Sequence, residues 1–211
     1  MIHSYQSVHD RDDYVSRFGI DNVPALHAAA TVEPRQQGVF VRRPRADHPG
    51  SSGNLSQFEA ASGRWGLIPL FSKDGEDPLF EAQAETAFGE RNFFQPWKRG
   101  HRCVVLAEAI FETDAVTGTL IRRARMDGKA LSMAGLWNAW RSPQGQCVES
   151  FALLSVNARD PHSPGRRMAA LLHDAWLDDW LNCPVEETSA FLRPFGDNEL
   201  VSSEAEPESS R

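Results

Sequence analysis

Chemistry in a chain like this must come from carboxylates, histidines, thiols and arginines at workable spacing, and few of them stand in recognisable sets. The sequence holds no Gly-rich phosphate loop, no Gly-x-Ser-x-Gly elbow and no His-Glu-x-x-His pair. Its three cysteines, Cys103, Cys147 and Cys183, are far apart, odd in number and outside any Cys-x-x-Cys pair. They predict neither a disulfide framework nor a zinc site, and read as buried or idle thiols. His101 and His173 stand alone, with no partner in reach by spacing. Arg42, Arg43 and Arg45, and likewise Arg122, Arg123 and Arg125, could touch phosphates, although a solvated basic patch is the commoner meaning of such clusters. Trp65 and Phe71 are aromatics able to stack on bases or to pack as core or cleft wall. Glu112 is either an acid/base or a structural acceptor, and an isolated carboxylate on a strand is more often the latter.

The elements that must position these residues are short. Residues 9–18 carry spaced apolar positions (Tyr14, Val15, Phe18) followed by Gly19, which predicts a helix with a glycine stop. Residues 38–41 form a β-type run, and residues 44–63, rich in Pro, Gly, Ser and Asp, read as a loop. A helix is expected over 88–98 and an apolar strand over 103–107. Strands at 119–126 and 130–136 flank Asp127-Gly128, a strong hairpin signal. Another buried strand falls at 151–156. Trp176, Leu177, Trp180 and Leu181 mark one face of a helix over 174–182. Helices and strands alternate without regular βαβ spacing. The fold class is therefore α+β: one domain over 1–200, with a mainly antiparallel sheet. Residues 201–211 are acidic and poor in apolar side chains, and read as a disordered tail.

Composition sets outer limits. With 211 residues, 41% apolar and 24% charged, the chain is ordinary for one globular domain. No apolar run reaches the roughly 18 residues needed to span a bilayer. The N-terminus lacks a signal-peptide pattern, so a cytoplasmic protein is expected, with no membrane partner. The net charge of −7 counts against a non-specific nucleic-acid binder, which usually carries a basic excess.

Several segments, in order, resemble one family. Arg64-Trp65-Gly66-Leu67-Ile68-Pro69 matches a Trp-Gly-Leu-Ile-Pro signature, with Phe71 at an aromatic position. Ala82, Ala84, Glu85 and Thr86 sit in the frame of an Asn-Ala-Arg-x-Glu-Thr motif. Arg102-Cys103-Val104-Val105 through Phe111-Glu112 is similar to an Arg-Cys-Leu-Val-Pro block that ends in Tyr-Glu-Trp. Ala134-Gly135-Leu136-Trp137 matches an Ala-Gly-Leu-Trp strand, and Phe151 to Leu154 and Arg167-Met168 fit later blocks. Together they resemble the SOS-response-associated peptidase (SRAP) family over residues 1–182.

The resemblance implies recognition of single-stranded DNA carrying an abasic site. It also implies a cysteine at position 2, whose thiol and α-amine would close a thiazolidine on the ring-opened sugar. An asparagine, a glutamate and a histidine would handle protons, and arginines and aromatics such as Arg91, Trp65 and Phe71 would hold the strand. This sequence departs from that set. Position 2 is Ile2, the motif asparagine is Glu81, the motif arginine is Gln83 and the histidine position is Gly165. Thr31 stands for an asparagine, Thr113 for a tryptophan and Ala169 for a proline. Glu112 alone survives in register, with His162 three residues upstream of the histidine position.

Three readings follow. The first is a degenerate peptidase and crosslinking enzyme that has lost its covalent chemistry and holds single-stranded DNA weakly. The second is a rearranged enzyme using Glu112 and His162, which requires the two within hydrogen-bond reach. The third is a partner-binding module without a nucleic-acid ligand. A basic groove built from Arg42, Arg43, Arg91 and Arg102 favours the first. A cleft of Glu81, Glu85 and Glu112 favours the third, or an oxygen-liganded Mg²⁺ or Ca²⁺. No cofactor is expected.

Overall fold

The computed structural model describes residues 2–24, 31–45, 57–114, 117–158 and 165–205. In chain order the elements are β1 (Ile2–Ser7), α1 (Asp12–Phe18), β2 (Thr31–Val32), β3 (Gln37–Arg42), β4 (Glu59–Trp65) and β5 (Glu81–Gln83). They continue with α2 (Phe94–Lys98), β6 (Arg102–Thr113), β7 (Leu120–Arg125), β8 (Leu131–Arg141), β9 (Cys147–Asn157) and β10 (Arg167–Ala169). The 3₁₀ turn Asp174–Trp176, α3 (Leu177–Asn182), the 3₁₀ turns Val185–Phe191 and Asp197–Glu199, and β11 (Leu200–Glu204) complete the described chain.

Antiparallel pairing joins β4 to β3, β3 to β6, β6 to β8 and β8 to β9. A short parallel contact, Arg64 with Ser150 and Trp65 with Phe151, joins β4 to β9 and closes a five-stranded barrel. Closure leaves the barrel without free edges. The mainly antiparallel α+β class expected from the sequence is the one observed.

β6 organises the molecule because it is longer than the barrel needs. Its first half, Arg102 to Ala107, pairs with β8. Its second half continues into an antiparallel layer in the order β2–β1–β6–β7–β11. Nine of the twelve β6 residues are buried, as expected of a strand covered on both faces over most of its length. Inside the barrel Phe40 packs on Phe151 (ring centroids 5.4 Å apart) and on Trp137 (6.5 Å).

Two motif glycines are explained by close packing. Gly66 has φ +128°, and a Cβ there would lie 2.8 Å from both Pro78 and Phe80. A Cβ on Gly135 would meet the Ala152 carbonyl and Cys103 Sγ, each at 2.8 Å. The Trp-Gly-Leu-Ile-Pro stretch is pinned in the same way. Trp65 Nε1 donates to the Phe80 carbonyl (2.9 Å), and Asn138 Nδ2 donates to the Ile68 carbonyl (2.8 Å).

Several expectations are corrected. Asp127-Gly128 does not make a hairpin: β7 and β8 both pair with β6, on successive halves of it, and not with each other. The loop expected over 44–63 ends sooner, since β4 begins at Glu59 and is held by β3. Residues 46–56 of that loop lie outside the described residues. The helix expected over 88–98 is confined to Phe94–Lys98. Residues 201–204, read as tail from their composition, form most of β11 and pair with Ile121 to Ala124 of β7. Cross-strand hydrogen bonds order a polar segment that has little apolar content of its own. Among the described residues no helix is long and apolar enough to cross a membrane.

Candidate functional site

A cavity of about 310 Å³ opens where β5, β6, β7 and β10 meet. Antiparallel register sets Ile2 opposite Glu112, so the first described residue faces the retained carboxylate across the strand pair. The Ile2 side chain is buried, and its amide nitrogen lies 3.4 Å from Glu81 Oε2. Parallel pairing of β5 with β9 brings Glu81 and Gln83 to the cavity wall. Arg123, Arg166 and Arg167 complete the charged lining, together with Asp114.

Glu112 is 5% exposed and fully engaged. Arg123 Nε donates to its Oε2 at 2.9 Å, and the Ala169 N–H lies 3.4 Å from its Oε1. A proline at 169 would have no N–H to offer, so the departure at that position supplies the carboxylate with a donor. Arg123 is itself held, its Nη1 donating to Ser202 Oγ of β11 at 2.9 Å. Charge-assisted contact with the guanidinium holds the carboxylate in place.

The three glutamates do not converge. Glu81 and Glu112 line the cavity, whereas Glu85 pairs with Arg167 Nη2 at 2.7 Å and accepts from the Asn157 amide. That pairing and those hydrogen bonds hold the Glu85 carboxyl below the usual range, against the opposing effect of burial. Among the described residues no three His, Cys, Asp or Glu side chains come together as metal ligands, and Glu85 is turned away from the three-carboxylate cleft on which the Mg²⁺ or Ca²⁺ reading rested. The lining arginines and carboxylates are balanced, so the cavity is neither the acidic cleft nor the basic groove anticipated.

Other expected residues lie elsewhere. Trp65 is 1% exposed and tilted against Tyr5, so it presents no face to a base. Phe71 is half exposed, with Arg91 Cζ 4.4 Å above its ring, beside a different cavity. Arg42 is buried, donating to Glu59 (2.8 Å) and Glu149 (2.9 Å) and lying 4.1 Å over the Trp137 ring. Arg102 is buried too, so Arg42, Arg43, Arg91 and Arg102 form no continuous groove. His162 lies outside the described residues.

Comparison with known proteins fits this architecture. The family model for "SOS response associated peptidase (SRAP)" matches residues 1–208. The chain belongs to the SRAP family.

Among curated SRAP relatives, the abasic site processing protein YoqW of Bacillus subtilis is 27% identical over 204 residues, covering 90% of this chain and 85% of that one. The mouse abasic site processing protein HMCES is 26% identical over 157 residues, covering 54% of this chain. The match spans 44% of the mouse protein's own length. A crystal structure from Bordetella bronchiseptica superposes with a TM-score of 0.80 at 30% identity, covering 97% of this chain and 100% of that one. One from Bacteroides thetaiotaomicron, at 21% identity and a TM-score of 0.78, shares the fold and covers 97% and 92%.

In this SRAP chain the residues that sequence reasoning missed are Arg123, Arg166 and the Ala169 amide. Arg123 was readable only as part of a solvated cluster. Its signal was diagonal: it opposes Ile110, two residues before Glu112, on a neighbouring strand. Arg42 carried a plainer signal, since strand alternation puts it on the same face as the buried Phe40.

Proposed function

We propose that this chain binds single-stranded DNA at abasic sites without forming the family's covalent crosslink. The observation that carries the reading is the β1–β6 register, with a buried isoleucine at position 2 against a Glu112 already committed to Arg123. An isoleucine offers no thiol, and the family's ring closure needs both a thiol and an amine. The names of the curated relatives, abasic site processing proteins, support the choice of ligand. The arginines lining the cavity supply donors for a phosphate or a sugar oxygen.

A second reading, a partner-binding module without nucleic acid, is favoured by the net charge of −7 and by the burial of Arg42 and Arg102. One experiment separates the two. The purified protein is incubated with single-stranded DNA bearing one abasic site, beside an intact strand, and run on native and denaturing gels. The expected result is a native shift with no band surviving denaturation. A denaturation-resistant band would overturn the non-covalent reading and direct attention to a lysine or the terminal amine. No shift in either gel would favour the partner-binding module.

A further inference from the structure

A second pocket, of about 350 Å³, lies at the opposite end of β6 from Glu112. Arg102 and Glu112 are ten positions apart on the strand, roughly 33 Å at the rise of an extended chain. Its lining includes Arg43, Arg45, Arg99, His101, Arg102 and Trp137, and no acidic side chain among the described residues. This concentration of cations is local, in a chain whose net charge is −7.

The pocket is built rather than incidental. Arg102 is 4% exposed, its guanidinium fixed by Thr188 Oγ1 (2.8 Å) and the Cys183 carbonyl. Its buried Nε has no hydrogen-bond partner among the described residues, and neither has His101 Nδ1. The His101 ring stacks on Trp137 with centroids 4.2 Å apart and planes 11° from parallel, and Arg42 lies against the same indole. Arg45 contacts Glu149 at 3.3 Å, and Arg42 binds Glu149 and Glu59, so those two acids are already engaged. Arg43 and Arg99 are exposed at the rim.

We propose that this pocket is a second ligand site and that its ligand is a phosphate group, carried either by a free nucleotide or by a DNA strand. Guanidinium forks match phosphate oxygens two at a time, and a buried donor that has lost water gains most from an ionised acceptor. The volume falls within the range of small-ligand pockets. Repulsion supports the same assignment. Burial, then Arg99, Arg42 and Arg45, push the His101 pKa down to about 4, and burial and Arg43 both disfavour the Arg102 cation. An anion placed among these groups relieves both strains.

The test is calorimetric titration of the full chain with inorganic phosphate, with dAMP, and with a single-stranded oligomer without abasic sites. Arg43→Gln and Arg99→Gln, both rim substitutions, are titrated in parallel after circular dichroism shows the fold intact. The expected result is saturable binding of at least one probe, weakened about tenfold by either variant. NMR titration of His101 should show its pKa rising when that probe is bound. Binding of phosphate and dAMP assigns a free ligand, and binding of the oligomer alone assigns a strand. No binding of any probe at millimolar concentration overturns the proposal, and so does binding that neither variant weakens. Because the oligomer lacks abasic sites and the variants lie far from Glu112, failure here leaves the proposed abasic-site binding standing.

Discussion

A cysteine is smaller than the buried isoleucine at position 2, so it fits the same place in β1, beside Glu81 and opposite Glu112. Ile2→Cys also gives the small second residue that methionine removal normally needs. Ile2→Cys with Glu81→Asn is expected to produce a denaturation-resistant band with abasic DNA that neither the parent chain nor Glu81→Asn gives. A denaturing gel reads the band, and intact-mass spectrometry reports loss of Met1. His101 carries a second prediction at this scale. Its folded pKa of about 4 lies below the ordinary 6.5, so the unfolded chain binds its proton first. His101 therefore lowers stability as pH falls from about 6.5 towards 4: the penalty is absent above that window and complete below it. Arg99→Gln removes a repelling charge, so the His101 pKa rises and the window narrows, which NMR titration and urea midpoints at several pH values will read. At the residue scale the sequence was legible where a motif position was filled by a different side chain. It was silent where a role depended on a neighbour from another strand. Nothing local to Arg123 points to Glu112, and nothing local to Ala169 shows that its N–H faces a carboxylate.

The elements depend on one another through β6. β11 shields the outer edge of β7, buries Leu200 and holds Arg123 through Ser202. Truncation after Glu199 is therefore expected to cost about 2 kcal/mol and lower the melting temperature by about 5 °C, measured by circular dichroism. A truly disordered tail would leave the melting temperature unchanged. At the barrel wall, Gly135→Ala forces a methyl against the Ala152 carbonyl and Cys103 Sγ, and is expected to cost about 1–3 kcal/mol by urea denaturation. Strands with apolar runs, such as Cys103 to Ala107 and Phe151 to Val156, were readable from sequence because burial on both faces leaves a continuous apolar signature. β11 was not, since its order comes from hydrogen bonds to β7 rather than from its own side chains. The Asp127-Gly128 signal misled for a related reason. It reports a local turn, and β6 was long enough to accept both flanking strands in line.

For the whole molecule, charge limits what nucleic acid can gain. The net charge is −7, and Arg123 and Arg167 in the cavity already hold carboxylates. In the proposed abasic-site binding, single-strand affinity would rest on few phosphate contacts, and log K against log salt concentration should fall no more steeply than about −2. Fluorescence anisotropy over a salt series measures this slope. Family membership was legible at this scale because five motif blocks are scaffold, fixed by close packing at Gly66 and Gly135 and by the hydrogen bonds of Trp65. Barrel closure was not legible, because it depends on a parallel contact between residues distant in sequence. That contact has a kinetic consequence. The β3–β4 and β8–β9 hairpins are local, whereas the seam joins Arg64 to Ser150, 86 positions away. Bringing those ends together costs about 4 kcal/mol of chain entropy and is rewarded by two residue pairs. The seam therefore zips after the rate-limiting barrier, and weakening it hastens unfolding while leaving the rate of folding almost untouched.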